Sequence, residues 1–363
     1  MKGDTPVLDA ESCAWMVRRL PDRISCIELL DEFIIAGDWS GDISCWTSDG
    51  DPVWEYSAPD RVSSIAVADD IVVIASGIDV VALSMSDGQE LWRQKLEGSA
   101  DEVFSIPGSG MIHATSSVFD IEHGDFMESA YWRFDNSGDL MVVHRFDERP
   151  WHVSVEPDSV LLGLGRPRCG MLVLREDVLE WEGLVDDDPV ACGMQGVGRT
   201  IMGHSKGAVS IVENGIKNIL TELDVGIESI SFIETGISVI AEDGLQILDQ
   251  DGKVLASNDI STISDSLESF SPIDEESSIW ASIGNRLVSF NMECQEIAVI
   301  ELRAPPSSLT ANGNMMAVGL EDGAVYVFQS ELIRRRFAAM NSGSSEGDSN
   351  RSAMLDKLRR LRE

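Results

Sequence analysis

The sequence predicts an all-β propeller of about eight four-stranded blades, with seven as the alternative count, on three observations. A unit of roughly 40 residues recurs along most of the 363-residue chain. Apolar and β-branched runs are broken by turn residues every roughly 8 to 12 positions, the spacing of all-β folds rather than of helices. Several units place glycine after Asp or Asn between two such runs, as in SDGD, SDGQ, ENG and DQDGK, the residue types that tight hairpins need.

The repeats start near residues 24, 62, 103, 152, 191, 229, 268 and 306. Each opens with a strand that sets a small residue among apolar ones, as in ISCI, VSSI, HVSV and SSLT. A second apolar strand ending in a small residue follows, as in FIIAG, VLLGLG and MMAVG, and then a third, as in DISCW, DVVALS and AVYVF. The fourth often carries tryptophan, at Trp54, Trp92 and Trp181. The last unit departs from the pattern, because AVYVFQ runs into SELIRRRFAAM without a glycine turn, and Ser330 is placed to cap a short helix. Its fourth strand is expected from residues 12–20, SCAWMVRRL, which would close the ring and remove two exposed sheet edges. In the alternative, LIRRRF supplies that strand and the N-terminal segment lies outside.

A unit with an apolar-small strand, a glycine turn and DGxxxW resembles the PQQ-like repeat of the quinoprotein and WD40-like propeller superfamily, over residues 24 to about 330. The resemblance implies a closed ring in which the loops between second and third strands share one face with the connections between blades, and it implies that ligands meet that face. It is specific for the fold and weak for function, since such repeats occur in enzymes and in proteins that only bind other proteins. A quinoprotein dehydrogenase is not expected, because the chain has neither adjacent cysteines nor an export signal. No cofactor is expected.

Sixty-three acidic residues against 27 basic ones give a net charge of −36, which repels nucleic-acid phosphates and anionic membrane along most of the surface. Neither nucleic acid nor membrane is an expected partner. With only six lysines, the acidity has two readings: solubility in a salty cytoplasm, or recruitment of a basic partner. Six scattered cysteines without CxxC spacing argue against a zinc site, and they read as reduced packing residues. The N-terminus lacks the pattern of a secretory signal, so the expectation is a cytoplasmic protein, monomeric on its own.

The chain divides into a propeller (1–337), a Ser/Gly/Asn-rich linker (338–352) and a short basic amphipathic helix (353–363). Leu355, Leu358 and Leu361 would form one apolar edge of that helix beside Arg359 and Arg360, for docking on the propeller or on a partner.

The repeat frame assigns candidate partner-binding residues to one rim. Trp39 comes from the first blade, Arg166 and Arg168 from RPRCG, His204 and Lys206 from GHSKG, and Trp151 and His152 from DERPWHV. Together they form a basic and aromatic patch on an acidic molecule, suited to an acidic peptide because arginine forks onto carboxylates. The third repeat is about ten residues longer than its neighbours, the excess reading as a hairpin with Phe119, Ile121, Phe126 and Met127 near its tip. His113, His123, His144 and His152 match no metal-ligand spacing, and GxSxG, HExxH and phosphate-loop motifs are missing from the sequence. The expected function is therefore a non-enzymatic interaction scaffold using the rim of blades 3–5. The rival is a small-ligand or sugar-processing enzyme at the central channel, for which Asp38, His204, Glu242 and Glu321 are the candidates.

Overall fold

Strands of about six residues, most of them ending at a glycine or Asx turn, build eight antiparallel sheets arranged as the blades of a ring. The computed structural model describes residues 5–106, 108–156, 158–260 and 262–341. The blades span 24–57, 62–95, 99–146, 150–182, 190–222, 227–258, 263–301 and 306–329, so eight is the number. The upper face carries the connections between blades and the turns joining second to third strands. The lower face carries the other turns.

Closure follows the first of the two routes considered. Strand Met16–Arg19 pairs antiparallel with Ala324–Gln329, from Met16 opposite Val327 to Arg19 opposite Ala324, as the outer strand of blade 8. LIRRRF is not that strand: it belongs to the helix Ser330–Asn341. The physical reason is composition, since Leu, Arg, Ala and Met are good helix formers, and spacing, since Ile333 and Phe337 lie one turn apart. Both are fully buried in a cluster with Cys13, Trp280 and Tyr326, worth roughly 1.5 to 3 kcal/mol per side chain. The helix continues through Asn341, past the expected start of the linker at 338. The rest of that linker and the basic segment with Leu355, Leu358, Arg359, Arg360 and Leu361 lie outside the described residues.

One element was not anticipated. Val7–Asp9 adds to blade 7 as a fifth strand, parallel to Glu296–Glu301, with Leu8 opposite Ile300. A turn of helix, Ala10–Cys13, then carries the chain to the closing strand, with Asp9 accepting from the Ser12 amide at 3.3 Å. Three residues are too few to show a periodicity, so only the neighbouring sheet edge reveals the strand.

The outer strands explain the DGxxxW pattern. Trp54 donates its indole N–H to the Met85 carbonyl of the next blade at 2.8 Å, and Trp92 donates to Asn136 of the blade after it at 2.9 Å. The ring of each lies on the turn glycine of that next blade, Gly88 (φ +69°) and Gly138 (φ +84°), where a Cβ would sit 2.6 to 3.1 Å from ring carbons. Glycine is needed there twice, for the left-handed backbone and for the close approach. Trp15 repeats the bond across the closure, to Ser48 at 3.1 Å. In blades 2 and 3 the glycine turn is thus the seat for the tryptophan of the blade before it, whereas Trp181 donates within its own blade, to the Cys169 carbonyl. Among the described residues no helix is long and apolar enough to cross a membrane.

Candidate functional site

The site begins with a backbone irregularity present in every blade. At the upper end of each innermost strand the pairing skips one residue: Ser25, Ser63, Asp101, Trp151, Ala191, Glu228, Ser264 and Ser307. A bulge of this kind re-aims the skipped side chain. Serine fills the position economically, its hydroxyl returning to backbone carbonyls, as Ser25 does to Gly37 at 3.0 Å and Ser63 to Ala100 at 2.8 Å. Blade 4 places Trp151 there instead, and the indole is left 47% exposed. Gly165 makes room for it, since a Cβ at that residue would lie 2.6 Å from Trp151 Nε1.

Arg149, two residues earlier, organises the surroundings. Its guanidinium lies 4.7 Å from the Trp151 ring centroid and 4.3 Å from that of Phe126, and it forms an ion pair of 3.1 Å with Asp101, the skipped residue of blade 3. Burial raises the Asp101 carboxyl above its ordinary value, opposed by the Ser117 hydroxyl and then by Arg149. Phe126 belongs to the long hairpin of strands Met111–Asp120 and Asp125–Asp135, and Phe119 packs edge-on against it at 5.2 Å. The hairpin therefore leans sideways onto blade 4, bringing Phe126 to 6.4 Å from Trp151. Met127 and Ile121, at 44% and 88% exposure, stay in solvent at its tip.

Beside Trp151 opens a cleft of about 350 Å³ lined by Asp125, Gly165, Arg166, Pro189, Val190 and Ser205. Arg166 is exposed and has no carboxylate within ion-pair distance among the described residues. Arg168 is also exposed, and it turns outward to stack on Trp181 at 4.6 Å, while Trp181 donates to the Cys169 carbonyl at 3.0 Å. Lys206 stands on the same rim, 2.6 Å from Asp187, a pair so open to water that it is worth little.

Three expectations need correction. His152 does not face the rim: the residue after the bulge points inward, so the imidazole is buried against Gly193, and burial pushes it down to about 4. His204 is fully buried, with Nδ1 3.0 Å from the Asp188 carbonyl and Nε2 2.8 Å from the Ser210 hydroxyl, and it holds the upper turn rather than a ligand. Trp39 is exposed but belongs to blade 1, three blades away, clamped between Arg23 and Arg61 at 5.4 and 5.2 Å.

The channel candidates take separate tasks. Asp38 is buried and accepts from the amides of Asp22, Ser40 and Asp42, Glu321 lies 3.5 Å from Arg23, and Glu242 is exposed. Among the described residues no group of three or more His, Cys, Asp or Glu side chains could hold a metal ion. Arg149 and Asp101 were missed at the level of sequence. The signal available was Arg-Pro-Trp at a repeat position that elsewhere favours serine.

No protein-family model and no curated protein sequence matches the chain. Among solved structures it is similar to BamB from Moraxella catarrhalis, with a TM-score of 0.72 at 15% identity over 87% of this chain and 97% of that one. It is similar to Sqt1 of Saccharomyces cerevisiae, with 0.70 at 12% over 88% and 99%. It also resembles the C-terminal WD40 domain of Sif2, with 0.70 at 12% over 90% and 99%. At these identities the likeness is one of fold, and the chain is an eight-bladed β-propeller.

Proposed function

We propose that the protein is a non-enzymatic interaction platform that takes an acidic segment of a protein partner on the upper rim of blades 3–5. The observation that carries this reading is the half-exposed Trp151, held by Arg149 and Phe126 beside the unpaired Arg166. An anchored aromatic next to an arginine is the combination that dominates binding energy at interfaces. Its rigidity matters as much as its area, because a side chain already held in place loses little entropy when a partner arrives. Arg166 and Arg168 supply forked donors for carboxylates, and Met127 and Ile121 add apolar surface at the edge. The proposal keeps the cytoplasmic, monomeric setting read from the sequence.

The test is a selection of acidic, aromatic-containing peptides from a displayed library against the wild-type protein, followed by binding measurements on Trp151→Ala and Arg166→Glu/Arg168→Glu. Micromolar binders that weaken at least tenfold in both variants, and weaken further with added salt, support the reading. Binders that do not distinguish the variants from wild type overturn it.

A further inference from the structure

A second recess, larger than the rim cleft, lies on the opposite face. Between blades 3 and 4 the lower turns enclose about 960 Å³. Glu156, Asp158, Glu176 and Glu180 line it, and none of these four side chains has an ion pair or hydrogen bond among the described residues. A fifth acid, Asp177, is matched by Arg133 at 2.7 Å. The wall is apolar where Val160 and Leu174 are buried and Ile106 and Met111 half-buried, Val178 stands exposed at the mouth, and Arg175, which also lines the recess, is paired with Glu182 at 3.3 Å.

Acidity alone would describe much of this surface, but the recess carries an independent feature. His113, only 5% exposed, lines it with Nδ1 engaged by the Tyr131 hydroxyl at 2.6 Å, while Nε2 on the other side of the ring has no partner. A buried polar atom left unmatched is costly, so the position favours a ligand that brings a hydrogen-bond partner. Burial pushes this histidine down to about 4, so near neutral pH it is uncharged and does not repel a cation. Unpaired carboxylates over an apolar wall fit a ligand with several cationic groups and aliphatic side chains, that is, a basic amphipathic peptide.

We infer that the occupant is the chain's own basic segment 354–362, MLDKLRRLR, with Lys357, Arg359, Arg360 and Arg362 toward the carboxylates and Leu355, Leu358 and Leu361 toward the apolar wall. Charge complementarity is the first argument, since from Arg334 onward the chain holds eight basic residues and four acids, the reverse of the propeller. Position is the second. The helix Ser330–Asn341 leaves blade 8 at the lower face, and Arg334 fixes it there by donating to the Ser271 carbonyl at 3.0 Å and to Glu275 at 2.8 Å. Reach is the third. The recess is some four blades round the ring, and a folded unit of this size has a diameter of about 50 Å. Leu355, the first residue placed against the wall, lies 14 residues beyond Asn341, up to ~50 Å of extended chain at ~3.6 Å per residue, enough to cross the lower face. The inference does not rest on the rim of blades 3–5, which lies on the other face.

Hydrogen–deuterium exchange on three proteins tests it: the full chain, a chain ending at residue 341, and the full chain with Glu156→Gln/Glu176→Gln/Glu180→Gln. The truncated chain keeps all eight blades, the closing strand and the helix. Amides around Met111, Asp158 and Val178 are expected to exchange several-fold more slowly in the full chain than in the other two. A synthetic peptide 351–363 added to the truncated chain should restore the slow exchange at low salt and not in 1 M salt. That titration keeps the test open if the triple variant is poorly folded. Equal rates in the full and truncated chains overturn the inference. Protection that grows with protein concentration also overturns it, by placing the segment on a second copy.

Discussion

Tryptophan does opposite things at the outer seams of blades 1–3 and on the upper rim of blades 3–5. At the seams Trp54 and Trp92 satisfy the indole N–H and cover the ring against the next blade's turn glycine, so both ends of the side chain are used within the fold. On the rim Trp151 occupies a bulge position, where blades 1, 2, 7 and 8 keep serine, and nearly half of it meets solvent. Residue type is therefore a poor guide to function in a repeat protein. Position within the repeat decides whether an aromatic holds the ring together or faces a partner.

The sharpest way to break that comparison is to truncate one member of each class. Trp54→Ala should cost ~3 to 5 kcal/mol in a denaturant titration, the usual loss for a buried large aromatic, while leaving the rim intact. Trp151→Ala should cost less than ~1 kcal/mol of stability and weaken an acidic peptide ligand by roughly 30-fold, the scale of a hot-spot residue. Similar stability losses for the two would mean that the rim tryptophan is structural and that the contrast drawn here is false.

His152 sharpens the boundary between rim and core, because it follows Trp151 by one residue and faces the other way. Its folded value of about 4 lies below the ordinary 6.5, so the unfolded chain binds the extra proton between those limits. The stability it contributes is present above about pH 6.5 and is lost as pH falls toward 4, up to ~3 kcal/mol. Glu28 acts with the opposite sign: raised to about 7 by burial, it stabilises below its ordinary value and loses that contribution as pH rises through 7. The wild-type curve mixes the two. The difference between wild type and His152→Asn isolates the histidine, and the variant should gain on wild type between pH 6.5 and 4. A pH-independent difference would place His152 in contact with water and on the rim after all.

The smallest effect is expected from Lys206→Ala, below ~0.5 kcal/mol in thermal denaturation, since its pair with Asp187 is open to solvent. A larger loss would show that the lysine supports the upper turn and is not a free rim charge.

Much of the architecture was legible because the repeat supplies its own internal controls. Eight copies of one pattern fix strand order, turn positions and the face on which each loop emerges, and the missing fourth strand of the last copy points to residues 12–20. The strand Val7–Asp9 was not legible, because a three-residue parallel addition takes its register from the edge it joins. At the candidate site, the frame assigned Trp151, Arg166 and Arg168 to the rim and passed over Arg149 and Asp101. His152 and His204 were misassigned because adjacent residues of a strand point to opposite sides, and a single bulge shifts which of them faces out.

The sequence by itself determined the ring of blades, the glycine turns, the closing strand and the contrast between an acidic body and a basic end. These depend on local backbone preferences and on composition, which are properties of short segments. Only the tertiary structure decided that Arg149 stands between Phe126 and Trp151, that Asp101 of the neighbouring blade holds it, and that four unpaired carboxylates share one recess. Each of those arrangements joins residues from different strands or blades, and their spacing along the chain carries no trace of the few ångströms that separate them.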